Sequence, residues 1–225
     1  MKLILICILF LSNLVRAAEP VPADLKKHDE LLTLYKKNYT NKNELAILRE
    51  KTLSLGPKSV PVLIQVMKDG AFPETNRWAA TFMLGKIMGE KSAPFIAKFV
   101  AHPHWMMRLA SLKTLLALNQ GKYIACYAQA LQDKSLLVRY QALENINHFK
   151  IKELGPNVWR MMYDKENYAG KEGKLKRAAI IKNVIRTLGD IEYPGAKDSR
   201  LKMVKNNKFK DIHEDLTYTL AKLKN

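Results

Sequence analysis

Apolar residues recur along this chain at helical spacing, and the pattern returns every 31 residues. Arg77, Arg108 and Arg139 mark the register. Three positions after each comes a small residue: Ala80, Ser111 and Ala142. Four further on come Leu84, Leu115 and Ile146, and three beyond those Ile87, Leu118 and Phe149. Steps of four and three place each set on one side of an α-helix, and the small residue lets a neighbour approach closely. A second set of columns precedes it: Leu63, Ile96, Tyr127 and Val158, then Val66, Phe99, Ala130 and Met161, then Met67, Val100, Leu131 and Met162. Steps of three and one predict another helix with a single buried stripe. Pro61, Pro94 and Pro156 stand two residues before the first of these columns. A first helical turn tolerates proline, because the N–H it lacks has no intrahelical partner there. Asp69, His102, Asp133 and Asp164 mark the end of this helix.

Weaker copies flank these. Arg177, Ile180, Val184 and Thr187 repeat the second-helix register 38 residues after Arg139. The seven extra residues fall in 168–174, a Gly- and Lys-containing stretch that reads as an exposed loop. His213, Leu216, Leu220 and Leu223 repeat the register once more, and residues 24–37 and 44–55 read as an opening helix pair. No strand-like alternation competes, so the expectation is an all-α stack of about five helical hairpins with unusual end copies.

The segment 130–143, from Ala130 through Asp133 and Arg139 to Leu143, resembles the core of a HEAT repeat. The short period is similar to that of the compact HEAT-like repeats of phycobilisome-lyase-type proteins. The resemblance implies a right-handed α-solenoid whose second helices line the concave side, and scaffold or binding roles more often than catalysis. It also implies that a turn Asp and a helix-opening Arg hydrogen-bond between repeats, making Asp69, Arg77, Arg108, Asp133 and Arg139 a structural ladder. The pattern is broken at His102, where Asp is expected, and at His213, where Arg is expected. The Trp, Leu-Gly and Tyr signature of tetratricopeptide repeats is missing.

The first residues change the picture of where this stack works. Lys2 precedes an almost unbroken apolar run from Leu3 to Val15, and small residues follow Arg16. That layout reads as a secretory signal peptide over residues 1–17, with cleavage after Ala17 or, as the alternative, after Ala18. Residues 18–225 then form a single domain in the periplasm or outside the cell, with no later run apolar enough to span a membrane. Of the two cysteines, only Cys126 remains after cleavage. No internal disulfide is then possible, and packing alone must hold the fold. Cys126 itself, among Ile124, Ala125, Tyr127 and Ala128, reads as a buried, inert thiol.

The formal net charge of +17 favours anionic partners such as nucleic acid, anionic lipid or acidic protein. The lysines are spread along the whole chain, so a merely solvated surface is the competing reading. The same two readings apply to Lys171, Lys174, Lys176, Arg177, Lys182 and Arg186, the densest basic stretch, taken as a candidate polyanion site. The arginine column divides in the same way, between tracking phosphates and holding repeats in register.

A sharper candidate lies on the second helix. With 100° per residue, the side opposite Ala80, Leu84 and Ile87 carries Trp78, Phe82 and Gly85. The next copies carry Leu109, Lys113 and Leu116, then Tyr140, Glu144 and Asn147. A solvent-facing side should be polar throughout. Trp78, Phe82, Leu109, Lys113, Tyr140 and Glu144 are therefore the candidate contacts for a bound peptide or helix, unless neighbouring segments cover the column. His102 and His104 have metal-like spacing and His148 lies a repeat later, but no nearby Cys or carboxylate cluster completes a site, so neither metal nor cofactor is expected. No nucleophile elbow, phosphate-cradling loop or zinc-protease helix is present, and no catalytic residue is assigned.

The expectation is an exported adaptor that binds protein or peptide on its second-helix face. The alternative is a basic nucleic-acid- or polyanion-binding protein similar to HEAT-like alkylpurine DNA glycosylases, against which export stands. An enzyme acting on envelope polymers has only the compartment in its favour.

Overall fold

The computed structural model describes residues 23–39, 41–169, 176–177, 179–195 and 197–223. The expected signal peptide, and Lys171 and Lys174 of the basic stretch, lie outside the described residues. Helix α1 (Ala23–Lys36) pairs with α2 (Lys42–Leu55), α3 (Val60–Lys68) with α4 (Glu74–Met88), and α5 (Ala93–Lys98) with α6 (Trp105–Ala117). The pairs α7 (Ile124–Ala130) with α8 (Leu136–Phe149), α9 (Gly155–Arg160) with α10 (Ala179–Asp190), and α11 (Lys197–Val204) with α12 (His213–Lys222) follow. The even-numbered helices pack side by side in chain order, each against the next. The result is an all-α solenoid of two helical layers.

The described residues form six hairpins, one more than the columns predict. Helix α11 continues no apolar column of the repeat; Met203 and Val204 pack half-buried against the core, and a buried arginine ties the helix to the turn before it. Arg200, fully shielded from solvent, donates to the carbonyls of Tyr193 (2.8 Å) and Gly195 (3.2 Å) in the turn after α10. The stretch read as a loop also contains a short antiparallel ladder, β1 (Tyr168–Ala169) with β2 (Lys176–Arg177), pairing Tyr168 with Arg177 and Ala169 with Lys176.

Every residue of the three first-helix columns is buried, as are the Ala80, Ser111, Ala142 and Leu84, Leu115, Ile146 columns. The third second-helix column, Ile87, Leu118 and Phe149, is half-buried against that core. Ser111 fits the small-residue column because its hydroxyl is satisfied by the Met107 carbonyl at 2.9 Å. Pro61, Pro94 and Pro156 fall in the first turns of α3, α5 and α9. In all three hairpins α5, α7 and α9 are short, and the chain leaves α5 and α9 through single 3-10 turns (Phe99–Ala101 and Met161–Tyr163) that carry the last buried column residues.

The reversal after each of the first five second-layer helices uses a left-handed residue. Gly56 and Gly89 serve after α2 and α4, where glycine adopts a positive φ without strain. Asn119, Lys150 and Glu192 do the same after α6, α8 and α10. Side chains then tie neighbouring repeats together. Asn76 donates to the carbonyls of Tyr35 (2.7 Å) and Lys37 (2.8 Å) at the end of α1. Asn145 of α8, fully buried, donates to the Leu112 carbonyl of α6 at 2.9 Å. Buried amides of this kind fix register, because a slip strands both partners without a hydrogen bond.

Candidate functional site

The arginine column sits at the edge of the stack, where each side chain joins two hairpin turns. Arg108 donates to the carbonyls of His102 (3.0 Å) and Pro103 (2.8 Å) in its own turn. It also grips Asp133 of the next turn with Nε at 2.5 Å and a terminal nitrogen at 2.6 Å. Arg139 repeats the arrangement, donating to the Asp133 carbonyl at 2.6 Å and to the Glu166 carbonyl of the next turn at 3.2 Å. Arg77 reaches the Met67 carbonyl at 2.9 Å and lies 3.0 Å from His102 Nε2. Arg77 and Arg139 are buried, and Arg108 is committed to Asp133. This column therefore offers no row of open guanidinium groups to phosphates. Among the described residues the Asp69 carboxylate accepts from the Ala71 N–H at 2.9 Å alone; 25 residues before it, where the arginine would stand, the chain has Glu44. His213, at the arginine position of the last copy, places Nε2 3.2 Å from the Asn206 carbonyl of its own turn.

His102 imitates the missing aspartate imperfectly. Asp133 Oδ1 accepts the Ser135 N–H at 2.8 Å, and His102 Nδ1 accepts the His104 N–H at 3.0 Å in the same way. A neutral imidazole has one acceptor nitrogen. With Nδ1 accepting, Nε2 carries a proton towards the Arg77 guanidinium, and two donors face each other. Arg77 Nε is left buried without a partner among the described residues. Burial, together with the Arg77 charge, holds the His102 imidazole below its ordinary value. The folded chain thus binds this proton less readily than the unfolded chain. The neutral histidine's contribution is complete above about pH 6.5 and is lost as pH falls through the lower folded value. His102→Asp restores the acceptor pair, and a charge-assisted bond is worth about 1.5–3 kcal/mol. The expected outcome at pH 7 is a net gain of about 1 kcal/mol after loss of the His102–Phe99 stacking. Urea unfolding from pH 5 to 8 checks it: the variant should be the more stable, and most so at the acid end.

Along the second helices the structure forms a groove from two adjoining hollows. One, of ≈ 650 Å³, lies between α2, α4 and α6, with Leu53, Trp78, Phe82, Met83 and Leu118 as its apolar wall and Arg49 and Lys86 among its lining residues. Gly85 and Thr114 make its floor; a Cβ on Gly85 would stand 2.6 Å from the Thr114 methyl, so glycine lets α4 and α6 close up there. The other hollow, of ≈ 680 Å³, continues over α6 to α8 and shares Trp78, Phe82 and Ala117 with the first. Lys113, Leu116, Tyr140, Gln141 and Glu144 complete it. The Trp78 and Phe82 rings, 5.6 Å apart and tilted by 43°, form the divide between them.

Of the six candidate contact residues, the groove brings together Trp78, Phe82, Lys113, Tyr140 and Glu144. Leu109 is the correction. It is 7% exposed and belongs to the core, on a helix packed between α4 and α8. Arg49, Leu53 and Lys86 were not among the candidates. Arg49 and Leu53 sit in the opening pair, which lacks the register that aligns the other copies. Lys86 follows Gly85 on α4, one step off the column used.

Of the basic stretch, only Lys182 and Arg186 have described side chains. Lys182 is exposed on α10, but Arg186 Nε is bound to the buried carboxylate of Asp215, and that bond raises its pKa. The Arg186 side chain stays half-exposed while it neutralises that carboxylate. Beside it Tyr218 donates to Asp190 Oδ1 at 2.6 Å, while Asn147 donates to Asp190 Oδ2 at 2.8 Å. These bonds join α8, α10 and α12. The side chains of Lys176 and Arg177 lie outside the described residues. Cys126 is half-buried rather than buried, and burial pushes its thiol up, away from reactivity. Among the described residues no group of three or more His, Cys, Asp or Glu side chains is placed to hold a metal ion, and no helix is long and apolar enough to cross a membrane.

The family model for HEAT repeats matches residues 60–147, the span from α3 to α8 that carries both the arginine ladder and most of the groove. No curated protein matches the chain in sequence.

Proposed function

Starting from residues 60–147 as HEAT repeats within an all-α solenoid, we propose that this chain is a non-catalytic scaffold that binds a protein or peptide in the groove along its second helices. HEAT repeats suggest interaction scaffolds in general. The observation that carries the finer reading is the uncovered aromatic and apolar surface there. Among the described residues no neighbouring repeat fills the two hollows, although Trp78, Phe82 and Leu53 would gain by leaving water. The alternative polyanion reading has lost the arginine column, which is engaged within the fold. The proposal includes export, supported by the Leu3–Val15 run and the small residues after it. The mass of the chain recovered from the envelope should then correspond to a start at residue 18 or 19, and an intact Met1 would contradict export.

The binding face is tested with peptides selected from a random display library on the wild-type chain. Lys113 and Tyr140 are exposed, so replacing both by alanine should leave stability within about 1 kcal/mol. The expected outcome is an affinity loss of at least about tenfold for the selected peptides. Selected peptides that bind the double variant undiminished would place the binding surface elsewhere.

A further inference from the structure

We infer that the groove's partner is an acidic amphipathic peptide segment, one that sets apolar side chains on Trp78 and Phe82 and carboxylates against Arg49, Lys86 and Lys113. The inference rests on the proposed peptide-binding role and adds the chemistry of the ligand.

Three consecutive second-layer helices each contribute one cation to the groove: Arg49 from α2, Lys86 from α4 and Lys113 from α6. All three are exposed, and none has a hydrogen bond or ion pair among the described residues. This distinguishes them from Arg77, Arg108, Arg139, Arg186 and Arg200, each of which binds a carbonyl or carboxylate of the fold. Among the described residues the lining has one carboxylate, Glu144, at the α8 end. A partner in this groove therefore meets an excess of unneutralised positive charge close to an apolar wall, where partial exclusion of water strengthens each pairing.

The apolar wall selects among anions. Leu53, Trp78, Phe82, Met83 and Leu118 have nothing to offer a phosphate backbone or a polysaccharide, but they suit leucine or phenylalanine side chains. The groove's length selects again. Four helices packed 8–10 Å apart span roughly 25–30 Å, about five turns of a partner helix at 5.4 Å per turn. An amphipathic helix laid in a groove uses anchors at positions i, i+3, i+4 and i+7. Its order of charge is set as well: acidic over α2, α4 and α6, and a basic group at the α8 end facing Glu144.

Two fluorescein-labelled peptides of about 18 residues test this, identical in their leucine and phenylalanine positions, one with glutamate and the other with lysine at the polar positions. In anisotropy titrations at low salt the glutamate peptide should bind at least about tenfold more tightly, and the preference should shrink as salt rises. Arg49→Ala with Lys86→Ala, at exposed positions that leave the core untouched, should remove most of the preference. Equal affinity for the two peptides, or preference for the lysine peptide, overturns the acidic assignment and leaves peptide binding standing. A preference that survives in the double variant overturns it too, because the chain's overall +17 charge would then suffice. If a DNA duplex displaces the glutamate peptide with equal potency, the apolar wall contributes nothing, which also overturns it. Binding of neither peptide overturns the assignment, while the display-selected peptides decide the binding face independently.

Discussion

Arg108→Ala should lower the free energy of unfolding by about 3–5 kcal/mol, the loss expected when one partner of a buried ion pair is removed. Asp133 is 8% exposed and Arg108 14% exposed, so little water reaches either group. Without the guanidinium, the Asp133 carboxylate keeps only the Ser135 N–H. The carbonyls of His102 and Pro103 lose their donor at the same time. A domain holds about 5–15 kcal/mol in all, so this one side chain carries a large share. Arg108→Lys should recover little, since an ammonium cannot match both carboxylate oxygens and both carbonyls. Urea unfolding followed by circular dichroism reads the effect as a lower midpoint at unchanged slope. A loss below about 1 kcal/mol is the value of an exposed ion pair, and it would mean that the ladder does not hold the repeats in register.

Leu109→Ala should cost about 2–5 kcal/mol, the range for truncating a buried leucine, whereas Tyr140→Ala at the equivalent position of the next copy should stay within about 0.5 kcal/mol. The two residues share a column in sequence, yet one is 7% and the other 42% exposed. The pair of midpoints is thus a direct reading of how far the copies diverge in packing. Equal losses in the two variants would put both residues on the same surface, and the groove would have to be redrawn.

The repeat was legible because burial in a stack is periodic. Leu63, Ile96, Tyr127 and Val158 differ in size and chemistry but hold one position, and only their spacing reveals it. Proline in the first turn and the turn acids at Asp133 and Asp164 mark helix ends for local reasons that a single sequence displays. Helix α11 was not legible, since its docking rests in part on Arg200, a residue that reads as solvated until its carbonyl partners are seen. Leu109 failed for a related reason. A 100° rotation rule assigns a side chain to a face of its own helix but does not say how deeply that helix sits between its neighbours. Arg49 and Leu53 were missed because α2 reaches the groove from a degenerate end copy. The left-handed turns at Lys150 and Glu192 were hidden too, because only glycine advertises that conformation in sequence.

The claim on which the rest depends is that the second-helix groove receives a peptide. Site-specific photo-crosslinking tests it most directly, with a benzophenone side chain placed at Lys113 in the groove or at Lys98 on the exposed side of α5. Each labelled chain is irradiated with a display-selected peptide. Crosslinks from position 113 and none from position 98 are the predicted result; crosslinks from 98, or equally from both, would contradict it.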